Sequence, residues 1–173
     1  MVGSLEWVPA NERRDLLAEP VAAVIGDQPD ASAAEIDPDL ADTEAFCERY
    51  GVPLEISANC VVIAAKRGGE VTYAACMILA TDRIDVNGVV RKHLGARKAS
   101  FAPMSEATTL TGMEYGGITP VGLPAGWPIL VDEKVAAAAE VVIGSGLRRS
   151  KILLPGKALT ALPGAEVIAL AQA

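Results

Sequence analysis

The feature that most constrains this chain is a segment rich in glycine and proline, residues 110–124, which reads LTGMEYGGITPVGLP. Its second half contains almost no charge and is punctuated by Gly116, Gly117, Pro120, Gly122 and Pro124. Glycine permits a positive φ and close backbone approach, whereas proline fixes φ and removes an N–H donor. Such a segment cannot form a regular helix or a central strand. We therefore predict a shaped loop whose backbone N–H and C=O groups line a pocket.

The length and residue usage indicate a cytoplasmic protein of one domain. The chain has 173 residues, enough to bury a sizeable core. Charged, glycine or proline residues interrupt every apolar stretch before it reaches the roughly 18 residues of a membrane span. The first residues lack the basic start and apolar centre of a signal peptide. Cys47, Cys60 and Cys76 show no CxxC spacing, so neither a disulfide framework nor a zinc site is indicated.

The charge is unevenly distributed along the chain. The net charge is −7, yet residues 1–57 hold 13 acidic and 3 basic residues, whereas residues 58–173 hold 9 and 12. Most of the later positive charge falls in two clusters, namely Arg91, Lys92, Arg97 and Lys98, and then Arg148, Arg149 and Lys151. An acidic protein can still present one basic face to phosphates. Two solvated surface patches would give the same pattern, and the sequence leaves both interpretations open.

Patterns of apolar and turn residues predict an α+β fold with a mostly antiparallel sheet. Two β-branched runs, residues 60–65 and 71–79, flank the sequence KRGG and predict a hairpin. Residues 1–50 are expected to form a peripheral helical part, with a loop or short edge elements at 26–39, and residues 51–173 to form the core. The predicted helices are 11–18, a second one that Asp42 or Thr43 caps and that ends at Tyr50 before Gly51, 85–94, 105–110, 133–138 and 158–162. The other predicted strands are 98–101, 129–131, 141–144, 152–154 and 166–170.

Familiar catalytic patterns do not occur in the sequence. The single histidine, His93, lies between Lys92 and Leu94 on a predicted basic helix, and no GxSxG or phosphate-loop motif is present. The carboxylates show no metal-ligand spacing. The pocket loop would then act through backbone amides, which can hold a carbonyl oxygen or an oxyanion, together with a positioned water.

The order of several landmarks resembles the YbaK/prolyl-tRNA synthetase-associated family of editing domains, over roughly residues 50–170. The landmarks are the hairpin at 60–79, the sequence DRID at 82–85, a helix ending in Leu94-Gly95, the segment TGMEYGGITPVG at 111–122, Asp132, and the turn Gly144-Ser145-Gly146. Members of this family hydrolyse mischarged aminoacyl-tRNA. The resemblance implies one YbaK-like domain over residues 1–173, with a mixed, barrel-like sheet surrounded by helices.

The resemblance also assigns roles to particular residues. It implies a catalytic segment of Gly116, Gly117 and Thr119, and substrate contacts from Asn59, Gly112, Pro120, Asp132, Gly144 and Gly146. Hydrolysis would use a bound water and the ribose hydroxyl of the tRNA, with no cofactor and no metal. The expected partner is the acceptor end of a mischarged tRNA.

One position departs from the family pattern. The family usually carries a lysine at the start of the first hairpin strand, where this chain has Asn59, which donates hydrogen bonds without charge. One hypothesis is a deacylase whose tRNA contacts come from Arg148, Arg149 or Lys151. The second is a non-catalytic module that binds an aminoacyl-adenosine-like ligand or a protein partner, and the third is a structural domain with a glycine-rich surface loop. Cys60 as a nucleophile would lack a nearby base in sequence.

Overall fold

The computed structural model describes residues 2–172, whose strands form two sheets. The first has the order β1-β2-β8-β7 and contains β1 (Val8–Pro9), β2 (Ser32–Glu35), β7 (Val141–Gly144) and β8 (Ser150–Leu154). The second has the order β5-β3-β4-β6-β9 and contains β3 (Ala58–Arg67), β4 (Glu70–Leu79), β5 (Lys98–Phe101), β6 (Ile129–Asp132) and β9 (Ala165–Ile168). Strand β6 pairs in parallel with β4 and β9, and the other named pairs are antiparallel.

Short helices surround the sheets. They are α1 (Glu19–Val24), α2 (Thr43–Tyr50), α3 (Arg91–His93), α4 (Met104–Thr111), α5 (Glu133–Ala137) and α6 (Gly156–Thr160). The predicted α+β class with mostly antiparallel pairing is confirmed. Across residues 2–172 the strands remain two separate sheets and do not close into a barrel. In that same range no helix has both the length and the apolar character needed to cross a bilayer.

The hairpin of β3 and β4 is the longest pairing in the fold. Ten register pairs run from Ala58↔Leu79 to Arg67↔Glu70. The two residues of its turn are Gly68 and Gly69, with φ of 58° and 83°. A two-residue turn that matches the twist of its strands needs positive φ at both positions, which glycine adopts without steric cost. The predicted hairpin is therefore confirmed and is longer at both ends of its first strand.

Apolar side chains fill the space on both sides of the central strands. All residues of β6 and β8 are buried, as expected for strands covered on two faces. One buried cluster includes Val131, Ile143, Ile152 and Leu154, and a second surrounds Phe46 of α2. The core thus lies under β7 and β8 and fixes the position of the loops that follow them.

The first 50 residues differ from their prediction. Instead of one helix over 11–18, the chain makes two 3₁₀ turns, Ala10–Glu12 and Arg14–Leu16, and α1 begins at Glu19. The segment 26–39 contains β2, an internal strand that pairs with β1 and β8. Its sequence Ser-Ala-Ala-Glu has low strand propensity, so tertiary pairing decides its conformation. The predicted helix 85–94 begins as a π-helix, Val86–Val90, and continues as α3.

Candidate functional site

A small cavity of about 210 Å³ lies where the start of β3 meets the glycine-rich loop. The beginning of α2 and the strands β7 and β8 complete its wall. Its lining residues are Ala41, Asp42, Thr43, Ser57, Ala58, Asn59, Cys60, Tyr115, Gly116, Ile118, Val142, Ile143, Gly144 and Lys151. Four residues predicted from the sequence, Asn59, Gly116, Gly144 and Lys151, therefore come together in one place.

Close backbone packing shapes the glycine side of this cavity. A Cβ atom at Gly117 would lie 2.8 Å from the Leu147 carbonyl oxygen, and one at Gly144 would lie 2.5 Å from the Gly117 carbonyl oxygen. Only glycine allows these two loops to approach so closely. Within residues 2–172, the N–H groups of Gly116 and Ile118 have no backbone acceptor. Both residues line the cavity, so their N–H groups are candidate donors to a ligand.

Lys151 supplies a buried cation to the cavity. Only 8% of the residue is exposed, and its Nζ donates a 2.9 Å hydrogen bond to the Ala41 carbonyl oxygen. The same Nζ lies 5.1 Å from the centre of the Phe46 ring, a favourable cation–π distance. No carboxylate among residues 2–172 lies within 4.0 Å of it. Lys151 thus forms no ion pair with a carboxylate in the described part of the chain.

The environment of Lys151 changes its acidity. Burial lowers the pKa of its ammonium to about 8, with Cys47 and Asp42 acting to raise the pKa and Arg148 to lower it. A group with that pKa is still mostly protonated at neutral pH. The cavity therefore holds a positive charge that an anionic ligand group can neutralise.

Asn59 lies at the mouth of the cavity beside the start of α2. Thr43 Oγ1 donates a 2.7 Å hydrogen bond to Asn59 Oδ1. Because the carbonyl oxygen of the side-chain amide is engaged in this way, its NH₂ group is oriented as a donor. Thr43 is also the first residue of α2, whose N-terminal end carries partial positive charge. These groups favour electronegative ligand atoms, whereas the Asp42 carboxylate, which also lines the cavity and pairs with Arg148, opposes them.

Arg148 ties the glycine-rich loop to the segment before α2. Its Nη1 donates to the Tyr115 carbonyl oxygen at 3.2 Å, its Nη2 donates to the Pro38 carbonyl oxygen at 3.1 Å, and it forms an ion pair with Asp42 at 3.5 Å. Arg149 donates to the Asp15 carbonyl oxygen. Both guanidinium groups are thus engaged within the protein.

The structure places the other predicted site residues outside the lining of this cavity. Gly112 ends α4, Gly146 packs against Ala18, and Pro120 borders a different cavity. Thr119 is fully buried, and its hydroxyl has no partner in the described chain.

Asp132 has a structural environment. It accepts hydrogen bonds from the Lys134 N–H at 3.2 Å and the Leu170 N–H at 2.8 Å. Its carboxylate therefore caps α5 and holds the segment after β9 in place.

The two candidate nucleophilic or basic side chains are poorly placed for catalysis. Cys60 lines the cavity, but burial raises the pKa of its thiol, so it stays protonated at neutral pH. His93 Nε2 instead lies 3.1 Å from a carboxylate oxygen of Glu166. In the described part of the chain, no three or more His, Cys, Asp or Glu side chains are grouped to hold a metal ion.

The glycine- and proline-rich segment borders a second, larger cavity with its later residues. This cavity has a volume of about 650 Å³ and is lined by 120–127, Ile129, Ala158 of α6, the residues 161–163 that follow this helix, and part of 24–30. Its lining is mainly apolar and lacks a buried cation, in contrast to the cavity around Lys151. The smaller cavity therefore combines more of the polar groups that chemistry on an ester requires.

Several lining residues were not singled out by the sequence analysis. Thr43 falls at the start of a predicted helix and Ser57 falls outside the predicted helices and strands, and neither position indicates a cavity wall. Tyr115 and Ile118 lie within the predicted loop and also line the cavity. A loop has no regular periodicity, so the sequence does not show which of its side chains face the cavity.

The comparisons with known proteins agree with this architecture. A sequence model of the aminoacyl-tRNA editing domain matches residues 37–162. A proposed trans-editing enzyme for prolyl-tRNA synthetase has a similar fold, with a TM-score of 0.74, 22% identity, and coverage of 97% of this chain and 100% of that one. A hypothetical protein gives a TM-score of 0.78 at 19% identity, covering 89% and 100% of the two chains.

A computationally designed epitope scaffold also shares the fold, with a TM-score of 0.77 at 22% identity over 90% of this chain and 97% of that one. No curated protein matches the sequence significantly. At these identities the structural likeness concerns the fold, whereas the sequence model covers most of the chain. This chain belongs to the aminoacyl-tRNA editing domain family.

Proposed function

We propose that this protein is a trans-acting aminoacyl-tRNA deacylase that hydrolyses the ester of a mischarged tRNA in the 210 Å³ cavity. The observation that carries the proposal is that one cavity is lined both by Lys151, a buried lysine with no ion pair within residues 2–172, and by Gly116 and Ile118, whose N–H groups have no backbone acceptor in that range. An aminoacyl-tRNA end has matching chemistry, because it presents a phosphate and an ester carbonyl within one nucleotide.

The proposed binding mode assigns one ligand group to each wall. The phosphate of the terminal nucleotide neutralises Lys151, and the ester carbonyl oxygen accepts from the N–H groups of Gly116 and Ile118. These donors would stabilise the negative charge that develops on that oxygen when water attacks. Asn59 contributes a donor at the mouth.

The reaction needs no protein nucleophile. Water adds to the ester carbonyl carbon, the bond from that carbon to the ribose oxygen breaks, and the leaving ribose oxygen gains a proton. The neighbouring ribose hydroxyl relays that proton from the attacking water. The products are a free amino acid and an uncharged tRNA. The high pKa of the Cys60 thiol supports this route over a covalent one.

The size of the cavity indicates a small aminoacyl group. Its volume of about 210 Å³ lies below the roughly 300–1,000 Å³ of ordinary ligand pockets. The apolar part of its lining includes Ala41, Ala58, Ile118, Val142 and Ile143. We infer that side chains of the size of alanine, serine or cysteine enter, and that aromatic ones do not.

The position of Lys151 bears on the absence of a lysine at residue 59. Lys151 reaches the same cavity from β8 that Asn59 borders from β3. A positive charge is therefore available even though the first hairpin strand carries a neutral amide. The proposed partner is the tRNA acceptor end, the proposed location is the cytoplasm, and the proposal includes no cofactor.

The test is a deacylation panel with tRNAs mischarged with alanine, serine, cysteine, proline or phenylalanine, without ATP. We expect loss of ester from at least one of the small amino acids and persistence of the phenylalanyl ester. Cys60→Ala should retain activity, whereas Lys151→Met should lose it. If all five esters persist at micromolar protein, the deacylase proposal is wrong.

The second candidate is a non-catalytic binding module of the same fold. The engagement of Asn59 by Thr43 favours it, because the amide adds no charge at the position where the family has a lysine. Asn59→Lys distinguishes the two functions. Deacylation that appears only in the variant would identify the parent protein as a binder.

A further inference from the structure

A basic depression lies at the turn end of the β3–β4 hairpin, away from the cavity around Lys151. Lys66, Arg67, Arg97 and Lys98 line it together with the two turn glycines, and its volume is about 350 Å³. We call these four residues the hairpin-end cluster. All four are exposed, in a protein whose net charge is −7. The cluster is thus a local concentration of positive charge on an acidic molecule.

Backbone contacts hold the hairpin-end cluster together. The Arg97 N–H donates to the Lys66 carbonyl oxygen at 2.9 Å, and Arg67 Nη1 donates to the Gly95 carbonyl oxygen at 3.0 Å. Lys66 and Lys98 are direct register partners across β3 and β5. Like charges placed opposite each other destabilise an antiparallel pair. The fold therefore sustains an unfavourable arrangement at this site.

The cluster has no protein counter-ions. Among residues 2–172, no carboxylate lies within 4.0 Å of any of its four side chains. Glu70 faces Arg67 in the hairpin register and still forms no ion pair with it. Arg91 extends the basic region, since its Nη1 donates to the Ala96 carbonyl oxygen beside the cluster at 3.4 Å.

The spacing between the cluster and the cavity calls for an extended ligand. Asn59 and Lys66 are seven residues apart on β3, which at about 3.3 Å per residue separates them by roughly 23 Å. Side chains alternate between the two faces of a strand, so Arg67 shares the face of Asn59, whereas Lys66 and its register partner Lys98 lie on the other face. A single ligand that contacts both places must therefore be an extended polyanion that also reaches around the turn end of the hairpin, and a nucleic acid has that length and charge.

We propose that the hairpin-end cluster binds the sugar–phosphate backbone of the duplex next to the aminoacylated end of the tRNA, while the single-stranded end enters the cavity. The identity of this ligand rests on the proposed function. Double-stranded RNA is recognised mainly through its backbone and shape, because side chains cannot read its deep, narrow major groove. The cluster would therefore add affinity that does not depend on the sequence of the duplex.

The test compares two RNA probes at several salt concentrations. One is an RNA hairpin of seven base pairs that ends in single-stranded CCA and carries no aminoacyl group. The other is the single-stranded end alone. Replacing Lys66, Arg97 and Lys98 together by alanine should weaken hairpin binding about tenfold or more and reduce the slope of log K against log salt by about 2 to 3. Binding of the short single strand should not change.

A matched control removes three exposed cations elsewhere, by replacing Arg49, Arg83 and Lys157 with alanine. It should leave hairpin affinity within about twofold, because loss of net charge alone is a weak, screened effect at physiological salt. Lys98→Glu, a single change on the short strand β5, gives an independent variant. Equal loss in the control, unchanged hairpin binding in both cluster variants, or cluster-dependent binding to anionic lipid vesicles in place of RNA would each overturn the proposal.

Deacylation by the parent protein separates this inference from the proposed function. If the parent deacylates tRNA and the cluster variants bind the hairpin as well as it does, the cluster proposal fails and the proposed function stands. If the parent deacylates none of the panel yet binds the hairpin through the cluster, the proposed function fails and the binding surface stands.

Discussion

Replacing Lys151 by methionine should remove activity without lowering stability at neutral pH. Methionine is close to lysine in length and keeps the packing against Phe46, but carries no charge. The buried ammonium lies 2.9 Å from the Ala41 carbonyl oxygen and lacks a carboxylate partner within the described chain. Its removal takes away a desolvated charge and leaves one carbonyl without a donor, two effects of opposite sign and similar size.

The pH dependence of stability gives the size of the contribution that Lys151 makes to the free energy of unfolding. Burial lowers the pKa of Lys151 from 10.5 to about 8 in the folded protein. Between these values the unfolded chain binds more protons than the folded one, so this group makes the free energy of unfolding rise with pH. The rise amounts to roughly 1 kcal/mol between pH 7 and pH 9. Methionine does not titrate, so the variant lacks this contribution.

The measurement is urea unfolding of both proteins at pH 7 and pH 9, followed by tryptophan fluorescence. The stability of wild type relative to Lys151→Met should increase by roughly 1 kcal/mol from the lower to the higher pH. The neighbours Asp42 and Arg148 are present in both proteins, so the difference reports the titration of Lys151 and any coupled titration of the Cys47 thiol, whose pKa burial raises. Lys157→Met, at an exposed position, should show no such change. Equal differences at both pH values would refute the description of Lys151 as a buried cation.

Three further changes test the site. Gly117→Ala should destabilise the protein by about 1–3 kcal/mol in thermal or urea unfolding, because its Cβ would lie 2.8 Å from a carbonyl oxygen and overpacking forces backbone shifts. Gly26→Ala is the near-neutral control, since the nearest atom to its Cβ would lie 3.9 Å away. Arg148→Ala should speed hydrogen exchange in residues 114–116 and raise KM for the tRNA, and unchanged exchange would show that its contacts do not hold the loop. Asp132→Asn should lower stability by about 1–3 kcal/mol while activity per folded molecule stays constant, and a selective loss of kcat would instead give Asp132 a direct role.

The parts of the fold that follow from the sequence are those determined by local interactions. The β3–β4 hairpin is predictable because two apolar runs flank a pair of glycines that can adopt positive φ. Helix α2 is predictable because Asp42 or Thr43 can begin it and Gly51 ends it; it runs from Thr43 to Tyr50, with Gly51 at φ 68° and no side-chain hydrogen bond from Asp42. Strand β2 is different, because its sequence Ser-Ala-Ala-Glu becomes a strand only through pairing with distant residues on β1 and β8.

The candidate site was predicted in part, and the limit is again the distance between its members along the chain. Asn59, Gly116 and Gly144 are landmarks of sequence and lie in the cavity. Asp132 is a landmark as well, yet its carboxylate is used by the N–H groups of Lys134 and Leu170. Sequence alone cannot separate these cases, since a helix cap and a pocket residue can follow the same strand.

Lys151 shows that a cluster of basic residues in the sequence does not reveal which member is buried in a site. In the sequence it forms a basic cluster with Arg148 and Arg149, and such clusters are usually solvated. Strand β8 pairs on both sides, with Ala34 and Gly144 as the register partners of Lys151, so the lysine is buried while Arg148 remains at the surface. A cavity built from several strands can receive its cation from any of them. In this chain residue 59 of β3 is a neutral asparagine, and the positive charge of the cavity comes from Lys151 of β8 instead.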